Sequence, residues 1–372
     1  VGAFDADGDA GRVSLYLGQS TLPNGAPSAS HDGNAGAEFG RALHAPGDLD
    51  HDGSPELYVG APGESSVHIA TFTREGELYF AETIEGATSS GYGYAFADAG
   101  DVDGDGGPDT WIAAPDEDGT GAVHLLHGST VAVMYASTEA ETLYGETASN
   151  RFGMVLDFAG DVNGDGYDDV LIAAPVNDAV ANNAGAVYCF HGSESGLAAT
   201  ATTTLYGEAA DDRFGGALAG AGDTNNDGYD DVIIGASTHD GTANNAGRVY
   251  IYQGSGAGLA PSAQATLDGK AYGEQFGSSV AGGLRVFGGQ YTDVVVGAPY
   301  ATSSTGAGAA GQVRVYAGGS SGVSTTAGLT LEGEASGDYF GSSVAVVDLE
   351  HDYYSEVVVG APHHDFEDIL ER

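Results

Sequence analysis

Four acidic stretches hold the residues best placed to do chemistry. They are Asp48-Leu-Asp-His-Asp-Gly-Ser-Pro-Glu56, Asp101-Val-Asp-Gly-Asp-Gly-Gly-Pro-Asp109, Asp161-Val-Asn-Gly-Asp-Gly-Tyr-Asp-Asp169 and Asp223-Thr-Asn-Asn-Asp-Gly-Tyr-Asp-Asp231. Each reads Asp-x-Asp/Asn-x-Asp-Gly-x-x-Asp/Glu. Side chains at positions 1, 3 and 5 converge if Gly at position 6 lets the chain turn sharply. Those side chains are Asp48, Asp50 and Asp52; Asp101, Asp103 and Asp105; Asp161, Asn163 and Asp165; Asp223, Asn225 and Asp227. The backbone carbonyl at position 7 (Ser54, Gly107, Tyr167, Tyr229) and the carboxylate at position 9 (Glu56, Asp109, Asp169, Asp231) complete an all-oxygen set. Hard oxygen donors in that number suit Ca²⁺, which takes roughly 6–8 of them. Mg²⁺ wants stricter octahedral geometry, and Zn²⁺ wants His or Cys.

Asx turns alone would also select Asp, Asn and Gly. Four loops that each gather three carboxylates or amides within five residues argue for a cation, because bare carboxylates repel one another. Position 12 separates these loops from an EF-hand. It holds Val59, Ile112, Ile172 and Ile234 instead of the bidentate Glu, and each loop leads into an apolar strand. Two related stretches depart from the pattern. Arg285-Val-Phe-Gly-Gly-Gln-Tyr-Thr-Asp293 lacks the acids at positions 1, 3 and 5, and Arg285 is expected in the cation's place. A fifth, weaker cation candidate uses Asp348, Glu350, Asp352 and Glu356 but lacks the Gly. Asp5-Ala-Asp-Gly-Asp9 sits elsewhere in its unit and reads as a surface turn.

The elements that position these loops recur along the chain. Aromatic-Gly pairs stand at Phe39, Tyr92, Phe152, Phe214, Phe276 and Phe340, at spacings of 53 to 64 residues. About twenty residues later come Val59-Gly-Ala-Pro62, Ile112-Ala-Ala-Pro115, Ile172-Ala-Ala-Pro175, Ile234-Gly-Ala-Ser237, Val296-Gly-Ala-Pro299 and Val359-Gly-Ala-Pro362. Gly-x-Val runs such as Gly247-Arg-Val-Tyr-Ile-Tyr and Thr-Leu runs such as Thr204-Leu-Tyr-Gly follow. Short apolar or alternating runs bounded by Gly, Asn, Asp and Pro are strand signals. No sustained helical period is present outside residues 366–372.

Four strands per unit at a steady period predict an all-β fold, a β-propeller of four-stranded antiparallel blades. The reading is one domain over 1–372, with full blades at 39–91, 92–151, 152–213, 214–275 and 276–339. Residues 1–38 are the second half of a blade and 340–372 the first half of another. Both halves carry a Val-Gly-Ala segment, and this redundancy argues for a clipped seven-bladed parent. A six-bladed ring closed by pairing the two halves is the alternative. The chain opens mid-pattern at Val1-Gly-Ala, as a processed or truncated piece would.

The charge balance narrows the partners. The 372 residues carry 54 acids and 10 basic residues, a formal net charge of −44, and Lys270 is the one lysine. Nucleic acid is excluded as a partner, since binding it rests on phosphate neutralisation by Lys and Arg. No apolar run nears the ~20 residues of a membrane-spanning helix, so direct membrane insertion is not expected. Bound cations would relieve the self-repulsion.

Together, the Phe-Gly, Asp-x-Asp/Asn-x-Asp-Gly and Gly-Ala-Pro markers resemble the FG-GAP repeat of integrin α-subunits and bacterial integrin-like proteins. The resemblance covers nearly the whole chain. It implies a seven-bladed propeller with Ca²⁺ in the loops joining strands 1 and 2, at about four sites. It further implies a protein or glycan ligand on the opposite face, from loops 176–183, 238–245, 300–310, 146–151, 209–213 and 335–339. The expected function is a non-enzymatic, secreted or cell-surface, calcium-binding module for adhesion or protein interaction. Alternatives are a lectin-like or hydrolase-associated propeller that binds glycans, and a structural surface-layer repeat.

Little else in the sequence suggests chemistry. Cys189, the sole cysteine, reads as a buried small hydrophobe. His363-His364-Asp365 is the one histidine cluster and lies in a loop. Trp111 reads as core rather than as a carbohydrate platform. No nucleophile-base constellation or phosphate-cradling Gly loop is found.

Overall fold

The computed structural model describes residues 2–3, 9–16, 27–48, 55–72, 77–100, 109–127, 139–194, 196–350 and 352–364. It is built of strands, with a single 3-10 turn at Glu117–Gly119 among the described residues. Five antiparallel four-stranded sheets follow one another along the chain. The first blade pairs Leu43–Gly47, Glu56–Ala61, Ser66–Phe72 and Leu78–Glu85 in order. The second uses Phe96–Gly100, Asp109–Ala114, Ala122–Leu126 and Glu139–Tyr144. The third uses Val155–Gly160, Asp169–Ala174, Ala186–Phe190 and Thr203–Tyr206, and the fourth Ala217–Gly222, Asp231–Ala236, Arg248–Tyr252 and Ala265–Asp268. The fifth uses Ser279–Ala281, Val294–Ala298, Gln312–Tyr316 and Leu329–Glu332. A three-stranded sheet (Gly2–Ala3, Arg12–Leu15, Ala29–Asp32) precedes them and a two-stranded one (Ser343–Val347, Glu356–Gly360) follows.

The described chain forms two compact units, residues 1–156 with 193–200 and residues 157–192 with 201–372. In the first, Tyr58, Ile69, Tyr92, Ile112 and Leu126 pack into one core cluster. In the second, Ile233, Val249, Ile251, Phe276, Val294, Val296 and Tyr316 are buried together. The second strand of blades two, three and four is buried along its full length. That explains why those strands read as continuous apolar runs without alternation.

The sequence markers have specific jobs. The aromatic of each Phe/Tyr-Gly pair in the complete blades is a core anchor; Phe214 and Phe276 are fully buried. Phe276 packs under Arg314 and Phe214 against Tyr250, each partner coming from the third strand of the same blade. The residue before the aromatic takes a left-handed backbone in every unit: Glu38, Arg151, Arg213, Gln275 and Tyr339 have φ between 51° and 54°, and Gly91 has φ 70°. The glycines let blades touch backbone to backbone. A Cβ on Gly235 of the fourth blade would lie 2.2 Å from the Gly277 carbonyl oxygen of the fifth, and Gly277 has φ 86°. Any side chain there would force the blades apart. Trp111 is fully buried, which removes the carbohydrate-platform alternative for it.

Candidate metal centre

Each acidic stretch joins the first strand of a blade to the second. Two lie wholly within the described residues, 161–169 and 223–231. Of the first, Asp48 and Glu56 are described while Asp50, Asp52 and Ser54 lie outside the described residues. Of the second, Asp109 is described and Asp101, Asp103, Asp105 and Gly107 are not. Glu56 and Asp109 are buried.

The loops of blades three and four share all but one of their internal side-chain-to-amide bonds, the Gly164 amide bond having no counterpart at Asn226 among the described residues. Asp161 Oδ1 accepts from the amides of Gly164 (2.7 Å) and Asp165 (3.1 Å), and Asp161 Oδ2 from Gly166 (2.8 Å). Asn163 Oδ1 accepts from Asp165 N at 2.8 Å, and Asp165 Oδ1 from Tyr167 N at 3.0 Å. In the fourth blade Asp223 accepts from Asp227 and Gly228, Asn225 from Asp227, and Asp227 from Tyr229, at 2.8–3.2 Å. Gly166 and Gly228 have φ 91° and 93°, and a Cβ on either would meet nothing within 4 Å. Glycine is needed at position 6 for its backbone freedom, not for space. Position 4 is also left-handed, in Gly164 and Asn226.

Position 9 does something different. Asp169 and Asp231 are buried, and each carboxylate accepts from two backbone amides. Asp169 takes Val162 N and Gly192 N, both at 2.9 Å. Asp231 takes Thr224 N at 3.2 Å and Gly254 N at 3.1 Å, with the Thr224 hydroxyl as a further donor. Burial pushes the Asp169 carboxyl up to about 7, against its amide donors and with the Asp165 and Asp161 charges adding to the rise. Asp231 is pushed up to about 6, again chiefly by burial. These two carboxylates fasten each loop to its own blade.

Position 8 varies in the sequence pattern (Pro55, Pro108, Asp168, Asp230), and the Asp-Asp doublets 168–169 and 230–231 are the only signal there of a further acid. Asp230 is half-buried; its Oδ2 accepts from Asp161 N at 3.0 Å, across to the preceding blade. Burial raises its pKa, and the Asp161, Asp223 and Asp168 charges raise it further. Asp168 is exposed and is also raised, by partial burial and by Asp161.

The two divergent loops are instructive. In 285–293 Asp293 remains buried and accepts from Phe287 N (2.8 Å), Gly318 N (3.0 Å) and the Val286 amide. Arg285 is exposed and pairs with no acid among the described residues, so it does not stand in for an ion. In 348–356 Tyr353 takes the left-handed turn (φ 74°) in place of Gly. Leu349 N donates to Glu356 Oε2 at 2.8 Å and Tyr354 N to Asp352 Oδ1 at 3.0 Å. Asp348 and Glu356 are partly buried and Glu350 and Asp352 exposed.

Among the described residues no three His, Cys, Asp or Glu side chains are gathered as a metal cluster. The carboxylates at positions 1 and 5 are held by loop amides, the Asx-turn arrangement. By donor chemistry the loops still fit a hard cation: carboxylates, an amide oxygen and a backbone carbonyl, with no nitrogen or sulfur ligand.

The other candidates resolve simply. Cys189 is buried, its thiol pushed up to about 12 by burial and the Asp169 charge, and is not a nucleophile at neutral pH. His364 Nδ1 lies 3.2 Å from Asp338 Oδ2 and His363 packs on Tyr339; Asp365 lies outside the described residues. No helix among the described residues is long and apolar enough to cross a membrane.

An FG-GAP repeat family model matches residues 152–190 and 214–252, and an FG-GAP-like repeat model matches 48–112. The chain is 30% identical over 256 residues to integrin alpha-4 of Xenopus laevis, covering 65% of this chain and 23% of that protein. It is 32% identical over 302 residues to integrin alpha-PS2 of Drosophila melanogaster (77% and 21%) and 34% over 186 residues to integrin alpha-7 of Homo sapiens (50% and 15%). The matches thus span under a quarter of the length of these three relatives. Motifs, sheets and relatives agree: the chain is an integrin-like FG-GAP repeat protein, and its sheets are the blades of a β-propeller.

Proposed function

We propose that this adhesion or protein-interaction propeller binds Ca²⁺ in its strand 1–2 loops and presents its partner surface at the other end of the blades. The observation that carries this reading is the repeated loop at 161–169 and 223–231, in which positions 1, 3 and 5 accept the same amides of positions 5, 6 and 7. When bound, the cation supplies positive charge that neutralises clustered carboxylates. Asp161, Asn163, Asp165 and Asp169 would hold it in one loop with the Tyr167 carbonyl. Asp223, Asn225, Asp227 and Asp231 would do so in the other with the Tyr229 carbonyl. The loops at Asp48–Glu56 and Asp101–Asp109 have the same sequence pattern and belong to the same proposal; Asp348, Glu350, Asp352 and Glu356 are a weaker fifth set.

The second strand of a blade enters from the acidic loop and leaves into the loop before the third strand. Those two loops therefore lie at opposite ends of the strand. A cation stiffens one end while loops 176–183, 238–245 and 300–310 at the other stay free for a protein or glycan ligand. The acidic surface suits a secreted or cell-surface protein and disfavours nucleic acid. No catalytic role is proposed.

Elemental analysis and melting with and without chelator test the cation reading. A ligand at 100 times its Kd adds about 2.7 kcal/mol per site, and each kcal/mol is worth roughly 2–4 °C in a domain of 150–250 residues. Chelation is expected to lower the Tm by several degrees. An unchanged melt together with metal-free protein by elemental analysis would sink the proposal.

A further inference from the structure

The acidic loops of neighbouring blades are bonded in series, position 1 of one to position 8 of the next. Asp230 N donates to Asp161 O at 3.1 Å, Thr292 N to Asp223 O at 3.4 Å and Ser355 N to Arg285 O at 3.1 Å. Position 2 is tied as well: Val162 O accepts from Ser255 N, and Thr224 O from Gly319 N, both at 3.0 Å. Among the described residues, the blade three–four junction alone adds a side-chain bond to position 1. Asp230 Oδ2 accepts from Asp161 N at 3.0 Å, so Asp161 and Asp230 exchange two hydrogen bonds. At the next junction position 8 is Thr292, whose hydroxyl turns to Ala221 O instead.

We propose that loops 161–169 and 223–231 take up cations as a coupled pair, with Asp230 as the positioning residue that links them. The inference rests on the cation reading above. Asp230 is one residue from Asp231, the anchor of its own loop, and it fixes the backbone of Asp161, the first ligand position of the preceding loop. Ordering the fourth-blade loop around a cation therefore orders the start of the third-blade loop in advance. A second ligand that binds a site already ordered loses less conformational freedom and binds more tightly. The coupling is reciprocal: each cation raises the affinity for the other by the same factor.

The test is a Ca²⁺ titration of the stripped full chain, followed by the amide resonances of Gly166 and Gly228. Asp227→Ala, which empties the fourth-blade loop, should shift the Gly166 midpoint to about fivefold higher Ca²⁺ or more, the low end of ordinary coupling. Asp230→Ala should do the same with the fourth-blade ligands intact, and Asp230→Asn, which keeps an acceptor for Asp161 N, should restore most of the affinity. Asp168→Ala removes an acid that makes no hydrogen bond among the described residues, and reports the effect of charge alone. It should move the midpoint less than roughly twofold. A Gly166 midpoint indifferent to Asp227→Ala and Asp230→Ala overturns the coupling while leaving cation binding intact. So does an equal shift from Asp168→Ala and Asp230→Ala. If neither glycine responds to Ca²⁺ in the unmodified chain, the cation reading itself has failed, and elemental analysis shows it independently.

Discussion

Loops 161–169 and 285–293 occupy the same place in blades three and five, and each ends on a buried aspartate that accepts backbone amides. Asp169 and Asp293 both collect a donor from the start of their own loop and one from the glycine after the third strand, Gly192 or Gly318. Upstream the loops share Val at position 2, a left-handed Gly at position 4 and Tyr at position 7, but not the acids. Asp161, Asn163 and Asp165 organise one, while Arg285, Phe287 and Gly289 stand at the same positions of the other. The fifth blade nevertheless forms a full four-stranded sheet. The motif therefore divides into two parts. Position 9 fastens the loop to its blade with or without a ligand set, and positions 1, 3 and 5 are dispensable to the fold.

The strongest way to break this division is to remove the fastener where no cation is proposed. Asp293→Ala leaves the partly buried amides of Phe287, Gly318 and Val286 without their acceptor, each toward the low end of about 1–3 kcal/mol. We expect a loss of roughly 2–4 kcal/mol in urea unfolding, equal in Ca²⁺ and in chelator. Asp169→Ala should cost a similar amount in chelator and more in Ca²⁺, because it also removes a proposed ligand. A Ca²⁺-dependent cost at Asp293 would mean that the fifth-blade loop binds a cation after all.

Removing a ligand position should have the opposite signature. Asp165 is exposed, and its carboxylate holds only loop groups, Tyr167 N and the Asn163 amide. Asp165→Ala should cost less than about 1 kcal/mol in chelator, as a solvated hydrogen bond does. In Ca²⁺ it should lower the Tm by a few degrees and lower the bound metal by one equivalent. A loss of stability identical in both conditions would make position 5 another fastener.

Much of this was legible in the sequence because the repeat is. Phe214, Phe276 and their counterparts mark the core, and the Ile-Ala-Ala-Pro runs mark strands buried on both faces. The left-handed requirement at Gly166 was readable because few other residues tolerate it. What escaped was long-range. Asp169 and Asp293 look alike on paper, one a ligand candidate and the other a relic. Only the amides of Gly192 and Gly318, 23 and 25 residues on, reveal their shared task. Asp230 looked like a variable position because its partner, the Asp161 amide, lies 69 residues upstream. Tyr353 shows the converse: a residue unsuited to the left-handed turn adopts it when the flanking hydrogen bonds are kept.

The pH response should separate metal-free from metal-loaded protein. Burial raises the carboxyls of Asp169 (to about 7), Asp231 (to about 6) and Asp293. A carboxyl raised on folding binds its proton more tightly in the native state. Its stabilisation is complete below the unfolded value near 4 and is lost as pH rises through the folded one. The contribution of these three groups to the metal-free Tm should therefore fall between about pH 4 and pH 7, against the opposite trend of His44, His68 and His191, whose pKa values burial lowers. With Ca²⁺ present the decline should flatten or reverse, because a cation favours the ionised carboxylates of blades three and four. Asp293, outside any proposed site, should keep its share of the decline. A metal-free pH profile unchanged by Asp169→Asn, Asp231→Asn and Asp293→Asn would contradict the assignment of these three groups.

The smallest effect should come from the residue whose sequence position looked most meaningful. An arginine at position 1 of a degenerate cation loop suggests a built-in positive charge. Arg285 offers its guanidinium to solvent instead, while its carbonyl accepts Gly288 N and Ser355 N. The backbone alone makes the contacts that matter, and alanine preserves them. Arg285→Ala should change stability by less than about 0.5 kcal/mol, like other surface substitutions, and leave the number of bound cations unchanged. A loss several times larger would show that the side chain supports the loop from where an ion would sit. The fifth blade would then differ from the third by replacing its cation, not by doing without one.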